Sequence, residues 1–263
     1  MDPVSGRILA LLAHPDDVEI FCCGTLALLS RRGWHVTTAT MTGGNMGGIG
    51  MTEEETVATR TREAANAAAL IGADYLCVGE RDGFMVDTPE LRLRTAQAIR
   101  RAGPDVVVTH LPYDYHLDHR TTAHLVEIAT MMATLPNLPC EESPLGTTPL
   151  LYHSAPLGLT THLGDPVEPH FLVDIDSVID LKRRMLACHL SQFELMKVMF
   201  KRENFAEELL LEQDAVLGRR IGAGYAEAFW QHRGGGFERR EVIQEALGDL
   251  VHFTRPDEIP SDR

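Results

Sequence analysis

The 263-residue chain carries 24 Lys and Arg against 38 Asp and Glu, a formal charge of −14, with 44% hydrophobic and 24% charged residues. This is ordinary soluble globular composition, and the acidic balance excludes a sequence-independent nucleic-acid binder and disfavours docking on anionic membranes. No run approaches the roughly 18 apolar residues that span a bilayer, and the length suits one α/β domain with a full core.

The start, Met1-Asp2-Pro3, is acidic and is not expected to be a secretory leader. Five scattered cysteines (Cys22, Cys23, Cys77, Cys140, Cys188) lack paired spacing, which favours reduced thiols and a cytoplasmic location. The apolar run Arg7–Ala13 reads as a buried strand, followed by a helix over Gly24–Arg32 and a strand over Val36–Met41. Thr52–Ile71 reads as a long helix that opens with the capping box Thr52-x-x-Glu55. Then come a strand at Tyr75–Val78, a helix at Pro89–Arg101, a strand at Val106–His110 and a helix at Leu117–Leu135. This alternation predicts an α/β, Rossmann-like, mostly parallel sheet with helices on both faces.

Pro136–Pro149 holds four prolines and is expected as loop. Short strands follow at Leu150–His153 and His170–Asp174. A helix is expected over Asp176–Leu190, with Lys182, Arg183 and Arg184 on its polar side. The C-terminal third adds strands and lid loops, so residues 1–233 form one domain and 234–263 a charged, loosely attached tail. The glycine-rich stretch Thr42–Gly50 lacks the lysine of a phosphate loop and reads as a flexible loop over the strand ends.

Two clusters carry chemistry. His14-Pro15-Asp16-Asp17 follows the first strand at its carboxyl end, where open α/β sheets bind ligands. Asp114-Tyr115-His116-Leu117-Asp118-His119 follows the Val106–His110 strand, and its two histidines three apart share one side of a first helical turn. Helix caps would explain either aspartate pair alone. Two clusters on two strand ends instead suit a metal, held by His14, Asp17 and one of His116 or His119 with a position left open for water. His153, at another strand end, is a further candidate for lining the pocket.

The pair of motifs Ala13-His14-Pro15-Asp16-Asp17 and His116-x-x-His119 resembles the LmbE/PIG-L family of zinc-dependent N-acetylglucosaminyl de-N-acetylases. In the same order come Gly24-Thr25-Leu26, Thr42-Gly43-Gly44, Arg60-x-x-Glu63 before Ile71-Gly72, His189-x-Ser191-Gln192 and Tyr225-Ala226-Glu227-Ala228-Phe229. The resemblance implies His14, Asp17 and His119 as ligands of Zn2+, with another divalent ion such as Fe2+ as the alternative. It implies Asp16 as general base, His116 as oxyanion stabiliser or proton donor, and Arg60 and Asp82 as sugar contacts. Val18 stands where many members have glutamate, with Glu19 following, a variant that resembles the bacillithiol-type deacetylases. Leu117 replaces a usual proline, and Asp114 stands where some members have a catalytic tyrosine.

The activity so implied is hydrolysis of an acetamide on an amino sugar, a small-molecule substrate, by an enzyme free to form a homo-oligomer. Asp118 is a candidate for holding a histidine tautomer, with a helix-start carboxylate as the alternative. For Arg60 the alternative is a surface ion pair with Glu63, and for Asp82 a simple turn. Competing readings are an amidase acting on a thiol-sugar conjugate, a non-catalytic metal- or carbohydrate-binding protein, and a metallophosphoesterase. The binder needs no base, and the phosphoesterase ordinarily wants a second metal.

Overall fold

Strand β1 (Arg7–Leu12) alternates Ile8, Ala10 and Leu12 on one face with Leu9 and Leu11 on the other, all buried. Both faces of such a strand must be covered, and the chain covers them with helices. The computed structural model describes residues 5–201 and 211–254.

After β1 come α1 (Asp17–Phe21), α2 (Cys23–Arg31), β2 (His35–Thr42), α3 (Glu53–Ala69), β3 (Asp74–Glu80), α4 (Pro89–Ala102), β4 (Val106–His110), α5 (Leu117–Met132) and β5 (Leu150–Ser154). The expected capping box forms: Thr52 accepts from the Glu55 amide, and the Glu55 carboxylate accepts from the Thr52 amide. The remainder supplies β6 (Phe171–Asp174), α6 (Ile179–Leu186), α7 (Leu190–Phe200), α8 (Leu211–Ile221), β7 (Ala226–Gln231), α9 (Val242–Leu247) and β8 (Val251–Phe253).

One sheet runs in the order β3-β2-β1-β4-β5-β7-β6-β8. Its first five strands are parallel, and β7, β6 and β8 extend it antiparallel. Leu26 and Leu29 of α2 pack with Ile8 and Val106 on one face, and Ile99 of α4 and Leu125 of α5 pack with Leu9 and Val107 on the other. The connections therefore leave β1 and β4, neighbours in the sheet, toward opposite faces. A crevice opens at their carboxyl ends for this reason, and both motif clusters follow those two strands. Among the described residues, no helix is long and apolar enough to cross a membrane.

Three expectations need correction. The helix expected over Asp176–Leu190 breaks into a short 3-10 turn and α6, and α7 starts anew at Leu190. Lys182 does not lie on a solvated face: it is 1% exposed and pairs with Asp214 and Glu227. Residues 234–254 are not a loose tail. Val242, Ile243 and Leu247 of α9 join the core beside α2, and β8 pairs along β6, because this stretch carries apolar residues that complete the sheet's far face. Residues 255–263 lie outside the described residues.

Candidate active site

Asp17 opens α1, and its Oδ2 accepts the His14 amide at 2.7 Å, a local turn that folds the His14–Asp17 segment back on itself. Nδ1 of His14 lies 3.1 Å from the same carboxylate oxygen, while Nε2 of His119 lies 3.4 Å from the other, Oδ1. Each ring is braced from behind. His14 Nε2 is 3.1 Å from Asp118 Oδ2, and His119 Nδ1 is 3.0 Å from Asp114 Oδ1. A carboxylate behind each imidazole orients the ring so that its other nitrogen faces inward, and this is how metal-binding histidines are ordinarily held.

The donor atoms of His14, His116 and His119 lie within 4.8 Å of one another, as do those of Asp17, His110 and His119. His110 is disqualified by its own bonding. The Ala13 amide donates to its Nε2 at 2.9 Å, so that lone pair is used, and its ring stacks on His119 at 3.8 Å. Burial, reinforced by the charge on His119, pushes His110 down to about 4, so it stays neutral. Burial also opposes charge on His14 and His119, but Asp17 and the carboxylates behind them outweigh it and hold the rings at about 10 and about 9. The site thus answers its crowded carboxylates with positive charge at the two inward-facing nitrogens. A divalent ion satisfies the same field by displacing those protons, and two nitrogens with one carboxylate suit it.

Asp16 behaves differently from its neighbour. It lines the pocket with its backbone at φ 117°, and Arg60 Nη2 stands 3.4 Å from its Oδ1. Burial lifts its carboxyl to about 6, against the pull of Arg60 and with help from Asp17. His116 caps α5: its Nδ1 accepts the Asp118 amide at 3.2 Å, which leaves Nε2 to carry the proton. Burial and the charges on His119 and His14 lower its pKa. The ring thus turns an N–H donor on Nε2 away from its cap.

Arg60 is 4% exposed, and it does not pair with Glu63, whose carboxylate instead accepts from the Ser191 amide and hydroxyl. It donates to Pro15 O at 2.6 Å and Gly44 O at 3.2 Å, tying the first motif to the glycine-rich loop. A Cβ at Gly44 would sit 2.5 Å from its guanidinium, so that loop has glycine where Arg60 passes. Asp82 accepts the Met46 amide with Oδ2, while its Oδ1 is buried without a partner, as is Gln192 Oε1. Asp118 also accepts the Gly83 amide at 2.7 Å.

His14, Asp16, Asp17, Arg60, Asp82, His116, Asp118 and His119 all gather at one cavity of about 520 Å³, together with Tyr115 and Gln192. His153 does not line it. That ring is buried behind the site, donating to His110 O at 2.8 Å. Sequence reasoning left Asp114, His110 and Gln192 without roles. For Asp114 the signal was present, because it sits five residues before His119 in the same cluster.

A family model described as PIG-L: GlcNAc-PI de-N-acetylase matches residues 9–130. The chain is 29% identical over 193 residues to the diacetylchitobiose deacetylase of Thermococcus kodakarensis, covering 71% of this chain and 70% of that protein. It is 27% identical over 205 residues to a 4-oxalmesaconate hydratase of Pseudomonas putida, covering 74% and 77%. The fold superposes on the crystal structure of the conserved protein TT1542 from Thermus thermophilus with a TM-score of 0.71 and 31% identity, covering 89% of this chain and 100% of that one. With both histidine–aspartate motifs meeting at one crevice of that fold, the chain belongs to the PIG-L family.

Proposed function

We propose that this protein is a metal-dependent hydrolase that removes the acetyl group from an N-acetylated amino sugar, an N-acetylglucosaminide or a conjugate of one. His14, Asp17 and His119 are the ligands in this reading, with Zn2+ as the ion and Fe2+ as the alternative. The observation that carries it is the divergence of two adjacent carboxylates. Asp17 lies between the inward nitrogens of two braced histidines, whereas Asp16 stands apart beside Arg60 with its carboxyl lifted to about 6.

A divalent ion, when bound, supplies Lewis acidity toward water and the acetyl carbonyl. The chain's own residues do the rest. Asp16 accepts the proton of the attacking water, because a base poised near neutrality is ionised before attack and still basic enough to take a proton. His116 presents Nε2–H to the oxygen that becomes negative. Asp16, now protonated, returns its proton to the departing amine. The unpaired oxygens of Asp82 and Gln192 are acceptors for sugar hydroxyls, which have protons to donate. A purely non-catalytic binder gives no reason for Asp16 to be buried in a strained backbone beside the ligand set. The free cysteines support a reducing, cytoplasmic setting.

The Pseudomonas relative favours a second reading, hydration of an unsaturated polycarboxylate by the same base. That substrate class needs cations, and Arg60, the one arginine or lysine lining the cavity among the described residues, is already committed to Pro15, Gly44 and Asp16. The test is acetate release from N-acetylglucosamine and N,N'-diacetylchitobiose by metal-loaded protein. One free amine per acetate is the expected result. Absence of acetate, together with hydration of an unsaturated tricarboxylate, would overturn the reading.

A further inference from the structure

The cavity that holds Asp16 and His116 at its base changes character outward, where Met46, Phe84, Tyr115, Leu195, Met196 and Met199 line it. Large apolar side chains are costly to leave in water, and a contiguous group of them around a concave site marks a ligand surface. Phe84 is 59% exposed, Met199 61% and Met46 55%. They come from three separate parts of the chain: the glycine-rich loop, the turn after β3, and α7. Phe84 is held in its exposed position, since the Arg81 guanidinium lies 4.6 Å from its ring centre and Arg81 is itself paired with Glu53.

We propose that this outer half of the pocket is a subsite for an uncharged apolar group, an aryl or alkyl aglycone carried by the amino sugar. The proposal rests on the amino-sugar reading above and specifies which conjugates the enzyme takes. Charge decides against the alternatives. The cavity carries Asp16, Asp17, Asp82 and Asp118, and its Arg60 is spent on internal partners. A carboxylate or phosphate on the aglycone finds no free arginine or lysine there among the described residues. It also meets the field of a chain with a net charge of −14. Continuity with the reactive groups fixes the occupant, because whatever fills the rim is covalently joined to what reaches Asp16.

The test measures binding of amine products to the metal-loaded protein by calorimetry, comparing glucosamine, phenyl glucosaminide, hexyl glucosaminide and a glucosaminide with a dicarboxylate aglycone. The phenyl and hexyl compounds should bind roughly tenfold to a hundredfold tighter than glucosamine, the gain for burying one such group, and the dicarboxylate no tighter than glucosamine. In the double variant Phe84→Ala/Met199→Ala, the aryl advantage should fall to about unity. Equal affinities in the unmodified protein, or preference for the dicarboxylate, would overturn the subsite. Should no glucosaminide bind, the amino-sugar reading fails, and the neutral fluorescent probe N-phenyl-1-naphthylamine judges the subsite separately. Binding that the double variant abolishes sustains the subsite, and absence of binding ends it.

Discussion

Asp16 adopts φ 117°, a region open to glycine and strained for a residue with a Cβ. The strain places its carboxylate over the pocket rather than along α1, so function and stability should separate at this position. Asp16→Gly is expected to raise the melting temperature, equivalent to about 1 kcal/mol, and to abolish turnover. Asp16→Asn should keep one metal ion per chain by elemental analysis and lose about 10²–10⁴-fold in kcat; loss of the ion would make Asp16 a ligand. His119→Ala should lose the metal, whereas His116→Ala should keep it and turn over slowly, and equal metal loss in both would refute that division. Asp114→Asn should weaken metal affinity about 10–100-fold with the three ligands intact, through the freed His119 ring. Arg60→Met removes the cation beside Asp16, which raises that carboxyl further, so the acidic limb of the kcat/KM profile should move to higher pH. Much of this site was legible in the sequence because its members lie within four to six residues on two strand ends. His110 was not, because its role depends on which ring nitrogen faces which partner, whereas Asp114 stood in the second cluster without a role assigned to it. For Arg60 the surface pair with Glu63 stood beside the sugar contact as an alternative, since spacing along a helix cannot tell that the side chain runs inward to Pro15.

At the scale of elements, the Glu227 carboxylate on β7 accepts the amides of Gly24 and Thr25 at 2.9 and 2.7 Å, an anion on the first turn of α2. A Cβ at Gly24 would meet Ile175 at 2.9 Å and the Glu227 oxygen at 3.0 Å, which accounts for glycine in Gly24-Thr25-Leu26. Lys182 of α6 donates to Glu227 and to Ile20 O at 2.9 Å each and lies 2.7 Å from Asp214 of α8. One buried ammonium thereby joins three helices and a strand, and Glu227 ties in α2. Lys182→Met should destabilise the fold by about 3–5 kcal/mol in denaturant titration, because it strands two carboxylates. With Glu227 already balancing Lys182, burial lifts the Asp214 carboxyl to about 7. Its unfolded form ionises near the usual carboxylate value, so this group's contribution to stability declines as pH rises from about 4 to about 7. Asp214→Asn should flatten that part of the stability profile; an unchanged slope would show that Asp214 is ionised throughout. The parallel half of the sheet could be read from alternation and capping signals, since β1 to β4 are each followed by a covering helix. Of the antiparallel half only β6 could be read, because β8 is three residues long and β7 finds its partners far along the chain. Lys182 looked solvated because its partners lie thirty and more residues away.

At the scale of the molecule, the site sits where connections from β1 and β4 part toward opposite faces, and two motifs about a hundred residues apart meet because their strands are neighbours. A metal that binds the folded chain alone should therefore stabilise all of it: at a hundredfold excess over Kd, by about 2.7 kcal/mol. Chelation should lower the melting temperature and abolish turnover, and readdition should restore both; a melting temperature indifferent to the ion would place it outside the fold. The sheet's far margin has a practical consequence. Strand β8 occupies the open side of β6, and α9 covers the adjoining face through Ile243 and Leu247, with the Tyr152 hydroxyl donating to Gln244 at 3.0 Å. A chain shortened to residue 233 would keep every member of the metal site yet bare a row of backbone donors and acceptors on β6, a template for edge-to-edge association. Such a protein should elute as aggregates in size-exclusion chromatography, so shortening the chain to remove its charged end trades a soluble surface for a sticky one.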